Sequence, residues 1–420
     1  VSSRLARIPG ARIGVRYLYT SLGFWVAFHV GLVLWHQRFE VFYFRQLSVL
    51  ALTHLAALGW LTTALMGVMY ATLPATLGVR PKSLRLARVQ YWLQTVGIAG
   101  LVLTMGVVPY TRGRVVFGLL TLAALVIFAH NIAATIGRGK EWRLPEAHFV
   151  MAMFYLAITG LIGMTYVFYL NWGAVPQTMT HLKVHAAFGG IGWLALTLMG
   201  LTYKLLPLEL GIDQGPQGWA VAASVLINVV FWGVFFSYAY DWPTLRAASA
   251  LLGLVGLVCH TLQIWTFVQR AAVIRKSGRF AAGERCVSLP YTRASNLFGG
   301  LAMFFALLLT TGAVGDGYAI EYALAYAAGA GWVGLFVVGQ TAWLLPRLLD
   351  DEASVDEPAS AWRRAEWPGL LVGTTLVMLG LAAGVSLVVA LGSAVNLAAS
   401  LLMVAHNLHR RRGRPLMVAQ

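Results

Sequence analysis

Long apolar runs separated by short polar ones set the pattern of the chain. A hydrocarbon core about 30 Å thick needs roughly 20 apolar residues of helix. Runs of that kind begin near Val15, Gln46, Leu86, Val115, Glu146, Thr180, Gly218, Leu245, Ala294, Tyr318, Trp367 and Leu391. The pattern predicts an all-α integral membrane protein with twelve transmembrane helices. The longest connections, Arg270–Arg293 and Leu348–Glu366, read as polar linkers, with no room for a large extramembrane domain. The first span lacks a small-residue cleavage motif at its end and is read as structure, not as a removed signal.

Composition agrees: 59% of the 420 residues are apolar and 11% charged, against roughly 45–50% and about 25% in a soluble domain. The net charge of +16 does not describe a nucleic-acid face, because Lys and Arg fall between the apolar runs. They act as topology signals instead. With a cytoplasmic N-terminus, 25 of the 31 Lys and Arg residues lie on the cytoplasmic side, including Arg4, Arg7, Arg80–Arg88, Arg138–Arg143, Arg270–Arg293 and Arg410–Arg414. The expected location is a bacterial or archaeal inner membrane with both termini cytoplasmic and some attraction to anionic lipid headgroups. Cys259 and Cys286 are too few for a disulfide framework, covalent c-type haem or an iron–sulfur cluster.

The chain repeats itself three times. The second span holds GWLTTALMGVMYATLP (Gly59–Pro74), the sixth GWLALTLMGLTYKLLP (Gly192–Pro207) and the tenth GWVGLFVVGQTAWLLP (Gly331–Pro346), at spacings of 133 and 139 residues. In each, Trp precedes the second Gly by seven residues and the Pro by fourteen. AHN at Ala129–Asn131, CHT at Cys259–Thr261 and AHN at Ala405–Asn407 mark the fourth span of each unit. The expectation is three pseudo-threefold arcs of four helices, approximately residues 12–143, 144–285 and 286–420. The glycines should permit close helix contact, and each terminal proline should mark a cytoplasmic helix end.

Histidines inside a membrane are functional candidates. His130, His260 and His406 share one place in all three units and suit a structural role, whereas His36, His148 and His409 fall at helix ends or in loops and are expected to be solvated or interfacial. His54 and His185 differ. They lie at matched depth in the second and sixth spans and have no histidine counterpart in the third unit. Two neutral imidazoles on facing helices can ligate one haem iron from both sides; alternatively, each donates to a neighbouring helix. His29 is the reserve ligand, and the i,i+4 pair His181 and His185 could instead hold a metal ion, although no third ligand is evident.

Twelve spans in three arcs, with H…GW…MG…Y…LP on the second helix of an arc, resemble the central subunit of haem-copper oxidases and nitric oxide reductases. The resemblance covers nearly the whole chain in topology, with local motifs of moderate specificity. It implies pores between the arcs and ligands on their second helices, the tenth helix carrying H-x-H with rings in different pores. Counted back from the terminal proline, His54 stands at 20 residues and His185 at 22. By the resemblance, both enter the pore between the second and sixth spans, where one bis-histidine haem b fits. Its propionates could meet Arg45, Lys183 or Arg38, with His181 hydrogen-bonded to one; otherwise these cations snorkel to headgroups.

The departures are equally informative. Leu324 and Tyr326 occupy the ligand registers of the tenth span, the seventh has no histidine, and a second haem would need histidine at Leu52 or Ala187. No copper centre and no oxygen- or NO-reducing binuclear site is expected. The leading expectation is therefore a b-type cytochrome subunit that carries electrons between quinol, or a periplasmic or membrane redox protein, and a respiratory complex. The alternatives are an NO- or gas-sensing haem protein and a non-redox transport, assembly or structural subunit. Ionisable residues within spans are scarce, with Glu321 the main acidic case.

Overall fold

The structure, a computed structural model, describes residues 10–41, 46–108, 112–139, 141–174, 177–276, 286–311, 318–349 and 361–412. Arg4, Arg7, Arg45 and the middle of the Arg270–Arg293 and Leu348–Glu366 linkers lie outside the described residues, as does the His409 side chain. The described residues are helical and include no strand. Twelve long helices follow in order: α1 (Ala11–Trp35), α2 (Leu47–Leu77), α3 (Leu84–Gly106), α4 (Gly113–Ile136), α5 (Leu144–Trp172), α6 (Met179–Leu210), α7 (Gly218–Ala239), α8 (Pro243–Lys276), α9 (Leu289–Thr311), α10 (Tyr318–Leu349), α11 (Ala361–Ala383) and α12 (Ser386–Arg412). Each begins within six residues of the start read from the apolar runs, the largest difference being Trp367 against Ala361.

Among the described residues, eleven of these helices are long and apolar enough to cross a membrane. The exception is α3, whose apolar run is diluted by Gln90 and Gln94, both fully buried. Tyr17 of α1 donates to the Gln90 side-chain oxygen Oε1, and Gln90 Nε2 reaches Met66 Sδ of α2 at 3.3 Å. These glutamines face protein, so the weak apolarity of α3 reflects what it packs against.

The repeated helices form the centre. In α2, α6 and α10, 67%, 67% and 72% of the apolar stretch is buried inside the protein, against no more than 44% in any other of the eleven. The remaining helices surround them, and α12 packs against α1 to close the outer layer. Both repeated glycines of each central helix meet the immediately preceding helix in the same way. A Cβ on Gly59 or Gly67 would press on Phe24 or Tyr17 of α1; on Gly192 or Gly200, on Tyr155 or Phe149 of α5; on Gly331 or Gly339, on Phe298 or Tyr291 of α9. Each central helix also contains an eight-residue π-helical segment, Leu55–Thr62, Phe188–Ala195 and Ala327–Gly334, in the same register ahead of its proline. Such i→i+5 segments are rare and concentrate at functional sites.

Two expectations are corrected. The repeated prolines do not end their helices. Pro74, Pro207 and Pro346 are each followed by three further helical residues, and Gly78 and Gly211, at φ 64° and 70°, then terminate α2 and α6. The three fourth-helix histidines are not equivalent either. His260 is buried and bonds Tyr203 Oη at 2.9 Å, while His130 is exposed. The position in α4 that matches His260 is Phe128, which packs edge-on against Tyr70 at 5.5 Å as His260 packs against Tyr203 at 5.3 Å.

The glycine contacts give a direct prediction. A Cβ at Gly67 would lie 2.9 Å from Tyr17 Cβ and 3.1 Å from the Gly14 carbonyl oxygen, so α1 must move away. Gly67→Val is expected to lower stability by about 1–3 kcal/mol, as overpacking does, measured by thermal unfolding in detergent. Gly23→Ala, with nothing within 4 Å of its new methyl group, should leave the unfolding temperature unchanged.

Candidate functional site

The structure brings His54 and His185 together. His54 is the last α-helical residue of α2 before its π segment, and His185 lies three residues before the π segment of α6. Their ring centroids are 6.3 Å apart with ring planes 27° from parallel. The two-residue difference in register between the helices carries this placement, since on a helix of 100° per residue it turns a side chain to the opposite flank.

The His54 ring is fixed by its own helix. Its Nδ1 lies 2.7 Å from the Leu50 carbonyl oxygen. A carbonyl only accepts, so Nδ1 carries the proton and Nε2 keeps its lone pair. That is the second-shell arrangement that orients ligating histidines. His185 lacks the corresponding bond within its own helix: Nδ1 is without a hydrogen bond, and the ring's backbone partner is Thr159 of the neighbouring α5. Its ring is held by packing, with Tyr166 at 6.4 Å and Gly163, whose missing Cβ would sit 3.2 Å from Cε1.

Imidazole nitrogens bind first-row metals at about 2 Å, so two rings on opposite sides of one iron place their centroids roughly 6 Å apart. The observed centroid separation of 6.3 Å matches that distance. The pair is only partly enclosed, and the next turn of α6 is Gly189–Gly190, where a Cβ on Gly190 would meet nothing within 4 Å. Among the described residues no group of three or more His, Cys, Asp and Glu side chains is arranged to hold a metal ion, so a ligand set at this pair consists of two imidazoles.

The neighbouring candidates are engaged elsewhere. Lys183 pairs with Glu321 of α10 at 3.2 Å and lies 5.2 Å from the Tyr238 ring centroid. Arg246 covers the same ring at 4.4 Å and pairs with Asp241. These charges form a rim at the end of the bundle nearest the histidine pair. His181 accepts from the Thr178 backbone N–H through Nδ1 at 3.1 Å and serves as a cap for α6. Arg38, in the helical turn Arg38–Val41, lies 5.1 Å from the Trp35 ring. His29 is 2% exposed in a box of Trp25, Phe28 and Trp60, with no second imidazole in ring contact among the described residues.

His148, expected to be solvated or interfacial, is instead 3% exposed; Nδ1 donates to the Leu144 carbonyl oxygen and Nε2 meets Ser224 Oγ at 2.9 Å. Glu321 is not the main buried acid. Glu146, Glu209 and Glu366 are more enclosed. Glu146 pairs with Lys204 at 2.5 Å, and Glu209 accepts from the Ser288 backbone N–H at 2.9 Å. All three sit near helix ends, where a charged residue in sequence reads as a headgroup contact. No family model and no curated protein matches the chain.

Proposed function

We propose that this chain is a membrane b-type cytochrome subunit, holding one haem between His54 and His185 on a scaffold of twelve membrane spans in three arcs of four. The observation that carries the reading is the His54–His185 pair: facing rings at a separation suited to one iron, with the His54 tautomer set by Leu50. The arcs are supported by the matching glycine contacts and π segments of α2, α6 and α10. A haem held by these two imidazoles would supply one-electron oxidation and reduction. His54 and His185 would hold the iron, Gly163 leaves space for the His185 ring, and the Lys183–Glu321 pair lies at the rim where propionates would emerge. Electrons would pass between quinol, or a periplasmic or membrane redox protein, and a larger respiratory complex in a bacterial or archaeal inner membrane, with both termini cytoplasmic.

The experiment is a reduced-minus-oxidised and pyridine haemochrome spectrum of the purified full chain. One b haem per chain is expected; a colourless protein overturns the reading and leaves transport, assembly or a structural role. A second reading, a haem that takes NO or CO, is favoured by the missing Nδ1 hydrogen bond of His185. If CO readily shifts the reduced Soret band, that reading replaces electron transfer.

A further inference from the structure

The end of the bundle that carries most Lys and Arg bears two adjoining concavities where α5, α7 and α8 meet. The first is an apolar groove of about 590 Å³ lined by Leu144, Val221, Ser224, Val225, Val229 and Trp232, with Asn228 between them. Val221, Val225 and Val229 form one i,i+4,i+8 stripe of α7, and Ser224, Asn228 and Trp232 form the next. Ser224 and Asn228 turn their polar atoms into the protein, toward His148 and the Ser224 carbonyl. What remains toward the outside is short and apolar. From Val221 to Trp232 the groove runs about 16 Å along the helix, roughly half the hydrocarbon thickness.

The second concavity, of about 560 Å³, begins where the groove stops, and Arg143, Asp213, Gln214, Gly215 and Gln217 line it. Arg143 adjoins Leu144 of the groove, and Gln217 precedes α7. Arg270 of α8 lies across the same loop, its guanidinium on Asp213 and over Gly215, where a Cβ would collide with it. The present partners of the two arginines, Glu141 and Asp213, are 70% and 79% exposed. Such solvent-facing pairs contribute little and exchange readily. Trp142 and Trp219, both exposed, flank the junction and suit the level where headgroups meet hydrocarbon.

We propose that this face binds an anionic glycerophospholipid, its phosphate between Arg143 and Arg270 and one acyl chain along the α7 groove. An apolar channel of acyl length that ends at two guanidinium groups matches such a lipid in both halves. Arginine binds phosphate through two parallel hydrogen bonds, and basic pockets between spans on the cytoplasmic side take lipid headgroups of this kind.

The test is native mass spectrometry of the detergent-solubilised full chain supplied with dioleoylphosphatidylglycerol or dioleoylphosphatidylcholine. The expected result is one retained phosphatidylglycerol per chain and at least tenfold less phosphatidylcholine. Retention should fall at least tenfold in Arg143→Ala/Arg270→Ala, and equally in Val225→Trp, which fills the groove without altering charge. Each variant's unfolding temperature without lipid is read in parallel to show that it is folded. Equal retention of the two lipids, or a folded double variant that keeps phosphatidylglycerol like the parent, overturns the proposal.

Discussion

His54→Ala is expected to leave the purified protein with less than about a tenth of the parent's haem, and His185→Ala with a reduced, five-coordinate remainder. The asymmetry follows from the second shell. The His54 ring is tied to Leu50 of its own helix and remains a preorganised ligand when its partner is gone, whereas His185, with Nδ1 unbonded, depends on Gly163, Tyr166 and the Thr159 backbone of the neighbouring α5. Loss of outer-shell support typically costs ten- to a hundredfold in affinity; loss of the ligand itself costs more. Pyridine haemochrome content reads the first effect. The Soret band reads the second, and free imidazole added to His185→Ala should restore a six-coordinate spectrum. Parent-like haem content in both variants would remove the pair from the site and bring His29 forward.

Much of the fold is legible in the sequence because each helix is announced by an apolar run of membrane length, and the three central helices by a repeat whose glycines must meet neighbouring side chains. The histidine pair is legible for a related reason: two positions counted from one proline landmark fix depth and direction together. Other features depend on which helix ends become neighbours. Lys183 and Glu321 are 138 residues apart, and nothing local to either names the other. Glu209 meets Ser288 across the α8 connection. The 130-residue spacing of AHN and CHT is three short of the spacing that relates α2 to α6. That discrepancy is the signal in the sequence that His260 does not correspond to His130.

Lys204→Met is expected to destabilise the protein by about 3–5 kcal/mol, the usual cost of stranding one member of a buried ion pair. Lys204 and Glu146 approach to 2.5 Å with side chains 9% and 1% exposed. The other Glu146 oxygen accepts from the Arg143 backbone N–H at 3.0 Å and caps α5. Without Lys204, that carboxylate keeps one hydrogen bond and no countercharge, at a depth where water cannot replace it. The opposite change is expected to cost less. In Glu146→Gln the amide oxygen can still cap α5, and the lysine stem is long enough to carry its ammonium toward the surface. The double variant Lys204→Met/Glu146→Gln removes both charges while keeping the cap, and should recover most of the stability lost in Lys204→Met. Thermal or denaturant unfolding in detergent measures all three. An unfolding transition of Lys204→Met that coincides with the parent's would mean that water reaches Glu146. Failure of the double variant to recover would mean that Lys204 contributes chiefly through the packing of its stem between α5 and α6. Ala71 and Trp343 take the register of Lys204 in α2 and α10, so this charge pair distinguishes the middle repeat from the other two and adds a buried ion pair to the glycine contacts that join α6 to α5.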